Sequence, residues 1–288
     1  MSLALERLPP WKVFRARFRA REEQLLGALP SNAMRGALGH VALDLGGGID
    51  ALLQGAPGSG LESGTDGGLS AIPLSGPYLP ESARLLPQDG LLELRFALIG
   101  EAALAARAPL TRALRRAGER GIGVVPGRRD ARPILELEDV EELRPPPLPE
   151  AAHYTLICET PFRVRIRGQE LVAPGPGIIW EQALRRADAL ARTFGDGELC
   201  PRRIDEPPAL HAVWTEHREV VVSRVSGRQK KKMTWRGTMG RIRVQTIDIT
   251  ATSRLLELVR DLGFGKGVSM GCGQISVVAS ETPSIERE

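Results

Sequence analysis

The stretch LGFGKGVSMGCGQISV, Leu262 to Val277, decides the fold. It carries five glycines, Gly263, Gly265, Gly267, Gly271 and Gly273, with one basic residue, Lys266, among them. The apolar run SRLLELVRDL before it has helical spacing, and QISVVA after it reads as a strand. Glycine permits backbone angles and close approaches that a Cβ forbids. Between a helix and a strand, such a loop can turn amide groups toward an anion. The competing reading is an ordinary tight or mobile connection. A nucleotide-binding P-loop is excluded, because its lysine pattern is absent and the element order is helix, loop, strand.

Upstream, the segment from Glu216 to Arg243 is the most basic in the chain. Arg218, Arg224, Arg228, Arg236, Arg241, Arg243, Lys230, Lys231 and Lys232 stand against Glu216 and Glu219, nine positive charges minus two, a local net of +7. A polyanion would feel such a patch, and phosphate contacts would make its affinity salt-dependent. The alternative is a solvated hairpin tip. Trp235 lies inside the segment and reads either as a base-stacking or as a core residue. Val213 to Val225 is a strand, residues 195–212 a loop, and Thr252 or Ser253 caps the last helix. A helix from about Ile178 to Phe194 has Trp180, Leu184, Ala187, Ala191 and Phe194 on its packing side and Arg185, Arg186 and Arg192 on its polar side. Arg163, Arg165 and Arg167 alternate along a half-buried strand after Pro161, and His153 reads as a surface or packing residue. LRPPPLPEAA, Leu143 to Ala152, is a stiff linker. It divides an N-terminal domain, 1–147, from a C-terminal domain, 148–288.

The N-terminal half opens with the strand WKVFRARFRA, Trp11 to Ala20. Phe14, Ala16 and Phe18 alternate with Arg15, Arg17 and Arg19; Val13 breaks the alternation. The arginine row is either a solvated sheet face or an RNA-facing surface. A helix from about Ala33 to Leu45, capped by Ser31 or Asn32, carries the apolar stripe Met34, Leu38, Val41, Ala42 and Leu45; Arg35 and His40 lie off it. Residues 46–90, rich in glycine and proline, form an insert expected to bury little surface. Leu91 to Ile99 is a strand and Glu101 to Ala117 a helix, with Leu104, Ala105, Ala108 and Leu114 inward and a kink at Pro109. Arg128 and Arg129 sit in a turn-rich segment before a strand at Ile134 to Val140. Each half thus orders its elements as a ferredoxin-like unit. The fold class is α+β, with tandem ferredoxin-like (RRM-like) domains.

Four stretches carry a family resemblance, in order along most of the chain. They are MRGALGHVALDL (Met34 to Leu45), GLLELRFALIG (Gly90 to Gly100), GERGIGVVPGRRDARPILELEDVEEL (Gly118 to Leu143) and the glycine-rich stretch itself. Together they resemble the CRISPR RNA-processing endoribonucleases of the repeat-associated RAMP superfamily. The resemblance implies a substrate, precursor CRISPR RNA, cut within each repeat stem-loop without metal or cofactor by attack of a ribose 2′-hydroxyl. It implies a histidine acid or base at His40, with Arg35, Arg241 and Arg243 as charge-stabilising candidates, Arg35 either holding the scissile phosphate or structuring the helix; His211 and His217 are further candidates. It implies RNA contacts at Arg128, Arg129, Arg185, Arg228, Lys230, Lys231, Lys232, Trp235, Arg236, Gly265, Lys266 and Gly267. Precursor and mature CRISPR RNA are the expected partners, together with subunits of a CRISPR effector complex. The alternative is a catalytically inactive RNA-binding subunit of such a complex. Relatives carry cysteines in the insert region; this chain has none there.

Composition bounds the remainder. The chain has 288 residues, 42% of them hydrophobic, a formal net charge of +4 and a pI near 9.2. Arginine outnumbers lysine 34 to 5, which suits bidentate phosphate contacts but also follows from a GC-rich genome. Cys158, Cys200 and Cys272 form no CxxC pair, so neither a zinc site nor a disulfide framework is expected. A cytoplasmic, non-membrane protein is expected, since no signal-peptide pattern and no apolar run of spanning length occurs.

Overall fold

The computed structural model describes residues 7–45, 48–54, 69–122, 132–197, 210–226 and 231–280. In chain order the elements are β1 (Trp11–Ala20), β2 (Gln24–Leu25), α1 (Pro30–Leu45), α2 (Ile49–Gln54), β3 (Leu74–Ser75), β4 (Leu85–Leu86), β5 (Leu91–Ile99), α3 (Glu101–Ala105), α4 (Arg107–Arg120) and β6 (Leu135–Leu143). There follow β7 (His153–Cys158), β8 (Val164–Ile166), β9 (Gln169–Leu171), α5 (Pro176–Phe194), β10 (Leu210–Ser226), β11 (Lys231–Thr246), α6 (Ile249–Leu262) and β12 (Ile275–Ala279). One four-stranded antiparallel sheet has the order β3-β5-β1-β6 and the other β10-β11-β7-β12. Both are the ferredoxin-like order, each formed by its own half of the chain, and together they make the tandem fold.

In the N-terminal lobe Phe14, Ala16, Phe18 and Ala20 of β1 bury one sheet face against α1 and α4, with Phe14 stacked on Phe96 at 5.1 Å. The opposite face has two environments. Toward the start of β1, Trp11 and Val13 join Ala97 and Ile99 in a cluster with Leu255, Val259 and Leu262 of α6. Val13 breaks the alternation because the second lobe covers that end of the sheet. Further along, Arg15 pairs with Glu141 at 2.6 Å, Arg17 with Asp139 and Arg19 with Glu138. The arginine row therefore faces acidic residues of β6. The Asp139 carboxyl is held below its usual range by its hydrogen bond from Arg17.

The insert buries more than its composition implies. Ile49, Leu53, Ala71, Ile72 and Leu74 enter the lobe's core, and β3 extends the sheet. A few apolar residues at its ends suffice, because β5 and α1 offer them a ready surface; residues 46–47 and 55–68 lie outside the described set. The kink expected at Pro109 falls at Ala106, and it changes the helical phase. Ala105 and Ala108 are exposed, whereas Ala103, Leu110, Ala113, Leu114 and Ala117 point inward. Proline in the first turn of α4 has no amide to lose there.

In the C-terminal lobe Tyr154, Leu156, Ile242 and Val244 face Ile179, Ala183, Leu184 and Leu190 of α5 and Leu255 and Leu258 of α6. The cap of α6 is Asp248, which accepts from the Ala251 amide at 3.2 Å. Thr252 is inside the helix, its hydroxyl 2.8 Å from that of Thr246. β10 begins at Leu210, three residues before the expected strand. Among the described residues no helix is long and apolar enough to cross a membrane.

All five glycines between α6 and β12 have positive φ, from 67° at Gly263 to 89° at Gly271. A Cβ on Gly273 would collide with the Phe264 carbonyl oxygen, and one on Gly271 with the Ser31 hydroxyl at the start of α1. The glycines of α1 are different, because a Cβ on Gly39 meets nothing within 4 Å. Gly273→Ala should thus lower unfolding free energy by at least about 2 kcal/mol, the sum of left-handed strain and collision. Gly39→Ala should raise it by about 0.5–1 kcal/mol. Equilibrium denaturation of both variants checks the pair, and equal effects would contradict the packing described.

Candidate functional site

The glycine-rich loop is laid against the segment that follows β7. Thr160 Oγ1 accepts from the Gln274 amide at 2.9 Å, Pro161 O from Gly273 at 3.0 Å, and Arg163 O from Lys266 at 2.8 Å. Phe162 pairs with Thr238 of β11 and packs on Phe264 at 4.7 Å. These contacts turn the Arg163 side chain beneath the loop, where the residue is only 4% exposed. Its Nη2 donates to Glu170 of β9, and its guanidinium carbon lies 4.5 Å from the Trp235 ring centroid. Glu170 also accepts from the Arg236 amide at 2.7 Å. Burial would raise the Glu170 pKa, but the hydrogen bonds from Arg163 and Arg236 outweigh it, and the net shift is downward. Arg163 Nε and Nη1 are buried with no hydrogen-bond partner among the described residues.

The β10–β11 hairpin closes the other side. Val222 and Trp235 on its inner face bury against Ala28, Leu29, Met270 and Cys272. Trp235 is 5% exposed, so its face is unavailable for stacking on a base; it packs the seam between lobes and supports Arg163. Arg218, Arg236, Arg241 and Arg243 of the hairpin are exposed. Arg236 lies 3.5 Å from Glu219 and Arg241 3.7 Å from Glu216. Arg243 is exposed two residues beyond Arg241, on the same face of β11, opposite buried Ile242 and Val244. The backbones of Lys231 and Lys232 lie in β11. Arg128, Arg129, Arg228 and Lys230 fall outside the described residues. Arg185 is exposed on α5, paired with Glu181 one turn earlier.

On α1 the two expected site residues part company. Arg35 turns inward, donating from Nη2 to the Leu53 carbonyl and from Nη1 to Ser70 Oγ at 3.4 Å, so it ties the insert to α1. Burial brings its pKa down to about 10. Of the two readings of Arg35, holding the scissile phosphate or structuring the helix, these bonds favour the second. His40 is exposed, nine residues beyond Ser31, or about 13 Å along the helix. Among the described residues, no hydrogen bond, ion pair or ring contact joins His40 to Arg35, Arg241 or Arg243. His211 is exposed at the start of β10, and the ring of His217 lies edge-on to Trp214 at 6.0 Å. Gly265 and Gly267 take the positive φ their type implies, and Lys266 lies between them.

Arg163 and Glu170 were not among the expected site residues. Arg163 read as one member of an alternating row, but Arg165 is exposed and Arg167 sits in the β8–β9 turn at φ 49°. The preceding Thr-Pro-Phe, which interrupts the strand, is the signal that separates them. Among the described residues no group of three or more His, Cys, Asp or Glu is placed to hold a metal ion.

Comparison with known proteins agrees with this architecture. The family model described as CRISPR-associated endoribonuclease Cas6 matches residues 156–275, from β7 through the glycine-rich loop. A solved Cas6 product complex is similar at 16% identity and a TM-score of 0.63, covering 93% of this chain and 99% of that one. A Cas6-related protein from Pyrococcus furiosus is similar at 11% identity and a TM-score of 0.60, covering 94% and 100%. An RAMP protein described as binding different RNA substrates is similar at 11% identity and a TM-score of 0.57, covering 93% and 99%. No curated protein sequence matches the chain.

The depressed pKa of Glu170 carries a sign that can be checked. A carboxyl more acidic when folded adds stability above its unfolded pKa, near 4.5, and loses it as pH falls through the folded value. Glu170→Gln should therefore melt below the wild type at pH 7, and the gap should narrow as pH drops below about 4.5. Melting curves from pH 7 to 3 decide, and a constant gap would remove the ionised pair from the account.

Proposed function

We propose that the chain is a member of the Cas6 family of CRISPR-associated endoribonucleases, whose family model matches residues 156–275, and that it cuts precursor CRISPR RNA within each repeat to release guide RNAs. The observation that carries this reading is the basic β10–β11 hairpin seated directly on the glycine-rich loop. In the proposed reaction the ribose 2′-hydroxyl loses its proton and its oxygen bonds to the adjacent phosphorus. The bond from phosphorus to the 5′-oxygen breaks, and that oxygen takes up a proton. The products are a 2′,3′-cyclic phosphate and a 5′-hydroxyl. His40 is the proposed proton-transfer group, since imidazole titrates near neutral pH. Arg241 and Arg243 are the proposed charges for the phosphorane. Arg35 acts in this reading as a positioning residue that secures α1. The basic residues of the hairpin, Arg128, Arg129 and Arg185 form the proposed phosphate-contacting surface for the repeat stem.

A second reading is an inactive RNA-binding subunit of a CRISPR effector complex. The commitment of Arg35 to Leu53 and Ser70 favours it, because one expected charge is withdrawn from the chemistry.

Cleavage separates the two. A repeat RNA with a stable stem should be cut in excess EDTA, and a 2′-deoxy substitution before the scissile phosphate should block cutting but spare binding. His40→Ala should slow single-turnover cleavage by about 10²–10⁴-fold. Dependence on added magnesium, or equal cutting of the deoxy substrate, would end the 2′-hydroxyl mechanism; tight binding without cutting would establish the inactive subunit.

The hairpin has its own test. Alanine at Lys230, Lys231 and Lys232 together should weaken repeat binding and flatten its salt dependence, by roughly 0.7–0.9 in log–log slope per lost contact. Titration at several salt concentrations measures this, and an unchanged slope would take these lysines out of the interface.

A further inference from the structure

The arginine row of β1 is matched rung by rung along the sheet. Arg15 pairs with Glu141 at 2.6 Å and lies 3.5 Å from Glu93, Arg17 pairs with Asp139, Arg19 with Glu138, and Arg21 with Glu136 at 3.0 Å. A bulge helps to complete the match. Arg17 is opposite Asp139 but Phe18 is opposite Leu137, so Glu138 is an extra residue on β6. Bulges re-aim side chains; here Glu138 reaches Arg19 while Asp139 stays with Arg17. Four arginines, Arg15, Arg17, Arg19 and Arg21, thus meet five carboxylates, Glu93, Glu136, Glu138, Asp139 and Glu141.

Stability is a weak reason for so complete a match. Each of these side chains is between 31% and 70% exposed, and ion pairs in that setting add little to folding. Their effect on the surrounding field is larger. An unmatched row of arginines would attract phosphates of any sequence. Matched at contact distance, each rung is a dipole whose field fades within the screening length, and a phosphate must displace a carboxylate to bind there. The β10–β11 hairpin differs. Arg236 and Arg241 stand 3.5 and 3.7 Å from their glutamates, and exposed Arg218 and Arg243 have no ion pair among the described residues. One arginine-rich surface is neutralised and the other is left basic.

We propose that Glu136, Glu138, Asp139 and Glu141 are specificity-determining residues: they occupy the arginines of the N-terminal sheet, so that RNA is held at the hairpin and not across this face. The assignment rests on the RNA-binding function proposed above. The carboxylates act through the arginines they pair with, and neutralising them exposes a second surface that binds phosphates without regard to sequence.

The test is made on the full chain carrying Glu138→Gln, Asp139→Asn and Glu141→Gln together, which keep shape and remove charge. This triple variant should bind a non-repeat RNA at least about tenfold more tightly than the wild type at low salt, with a log–log salt slope steeper by roughly 0.7–0.9 for each arginine released. Its preference for repeat RNA should shrink. Adding Arg15→Gln, Arg17→Gln and Arg19→Gln should return the weak non-repeat binding of the wild type. Unchanged non-repeat affinity and slope in the folded triple variant would overturn the proposal, and so would a gain that survives removal of the arginines. Where the triple variant fails to fold, Glu138→Gln alone decides by the slope change of one arginine. A wild type with no preference for repeat RNA would sink the proposed function, whereas gained binding in the triple variant would still show that these carboxylates keep phosphates off the sheet.

Discussion

The close approach of two backbones, the glycine-rich loop and residues 160–163, is the constraint on which the rest of the structure depends. Amide donors from Lys266, Gly273 and Gln274 reach Arg163, Pro161 and Thr160 across a gap that admits no Cβ at several points. At Gly265 a Cβ would stand 2.7 Å from the Arg163 carbonyl. Five left-handed residues in eleven would cost other side chains strain at each position, whereas glycine accepts them. The loop is therefore a fixed part of the fold and not a slack connection.

From that seam the two lobes take their relation. Gly271 touches Ser31 at the head of α1, and the inner face of the β10–β11 hairpin covers Met270 and Cys272. At the far end of the same interface, Trp11 donates to Asp261 at 3.2 Å while Val13 and Ile99 join the cluster containing Leu262. The loop thus contacts both lobes at once, and a displacement of its backbone would reach α1, the hairpin and Arg163 together.

How much of this was legible depended on whether a residue's environment was local. The alternation of β1 and the stripe of α1 reported their own periodicity, and the strand and the helix formed there. The order of elements in each half was enough for the ferredoxin-like topology. What failed was set by distant partners. Val13 read as an irregularity because the lobe that buries it lies more than 200 residues away, at Leu255 to Leu262. Trp235 read two ways, because nothing beside it specifies that Leu29 and Cys272 will cover it. Arg35 could be read as holding a phosphate or as structuring the helix, because its partners Leu53 and Ser70 lie in an insert expected to bury little surface. Charge in the sequence was likewise ambiguous: the arginines of β1 face carboxylates of β6, whereas those on the outer face of β11 remain exposed.

The retention of Arg163 is a question of energetics as well as geometry. A buried ion pair seldom stabilises more than well-packed apolar residues of the same volume would, because both charges must shed water. The Arg163–Glu170 pair is 5% and 21% exposed at its side chains and leaves two guanidinium nitrogens unmatched, so it falls short even of a fully satisfied pair. An apolar residue stacked on Trp235 would fill the same space without that desolvation. Stability alone is thus a poor reason for a guanidinium beneath the loop. Directionality is a better one: Glu170 fixes the guanidinium plane and Trp235 fixes its face, so the group is held in one orientation against the loop.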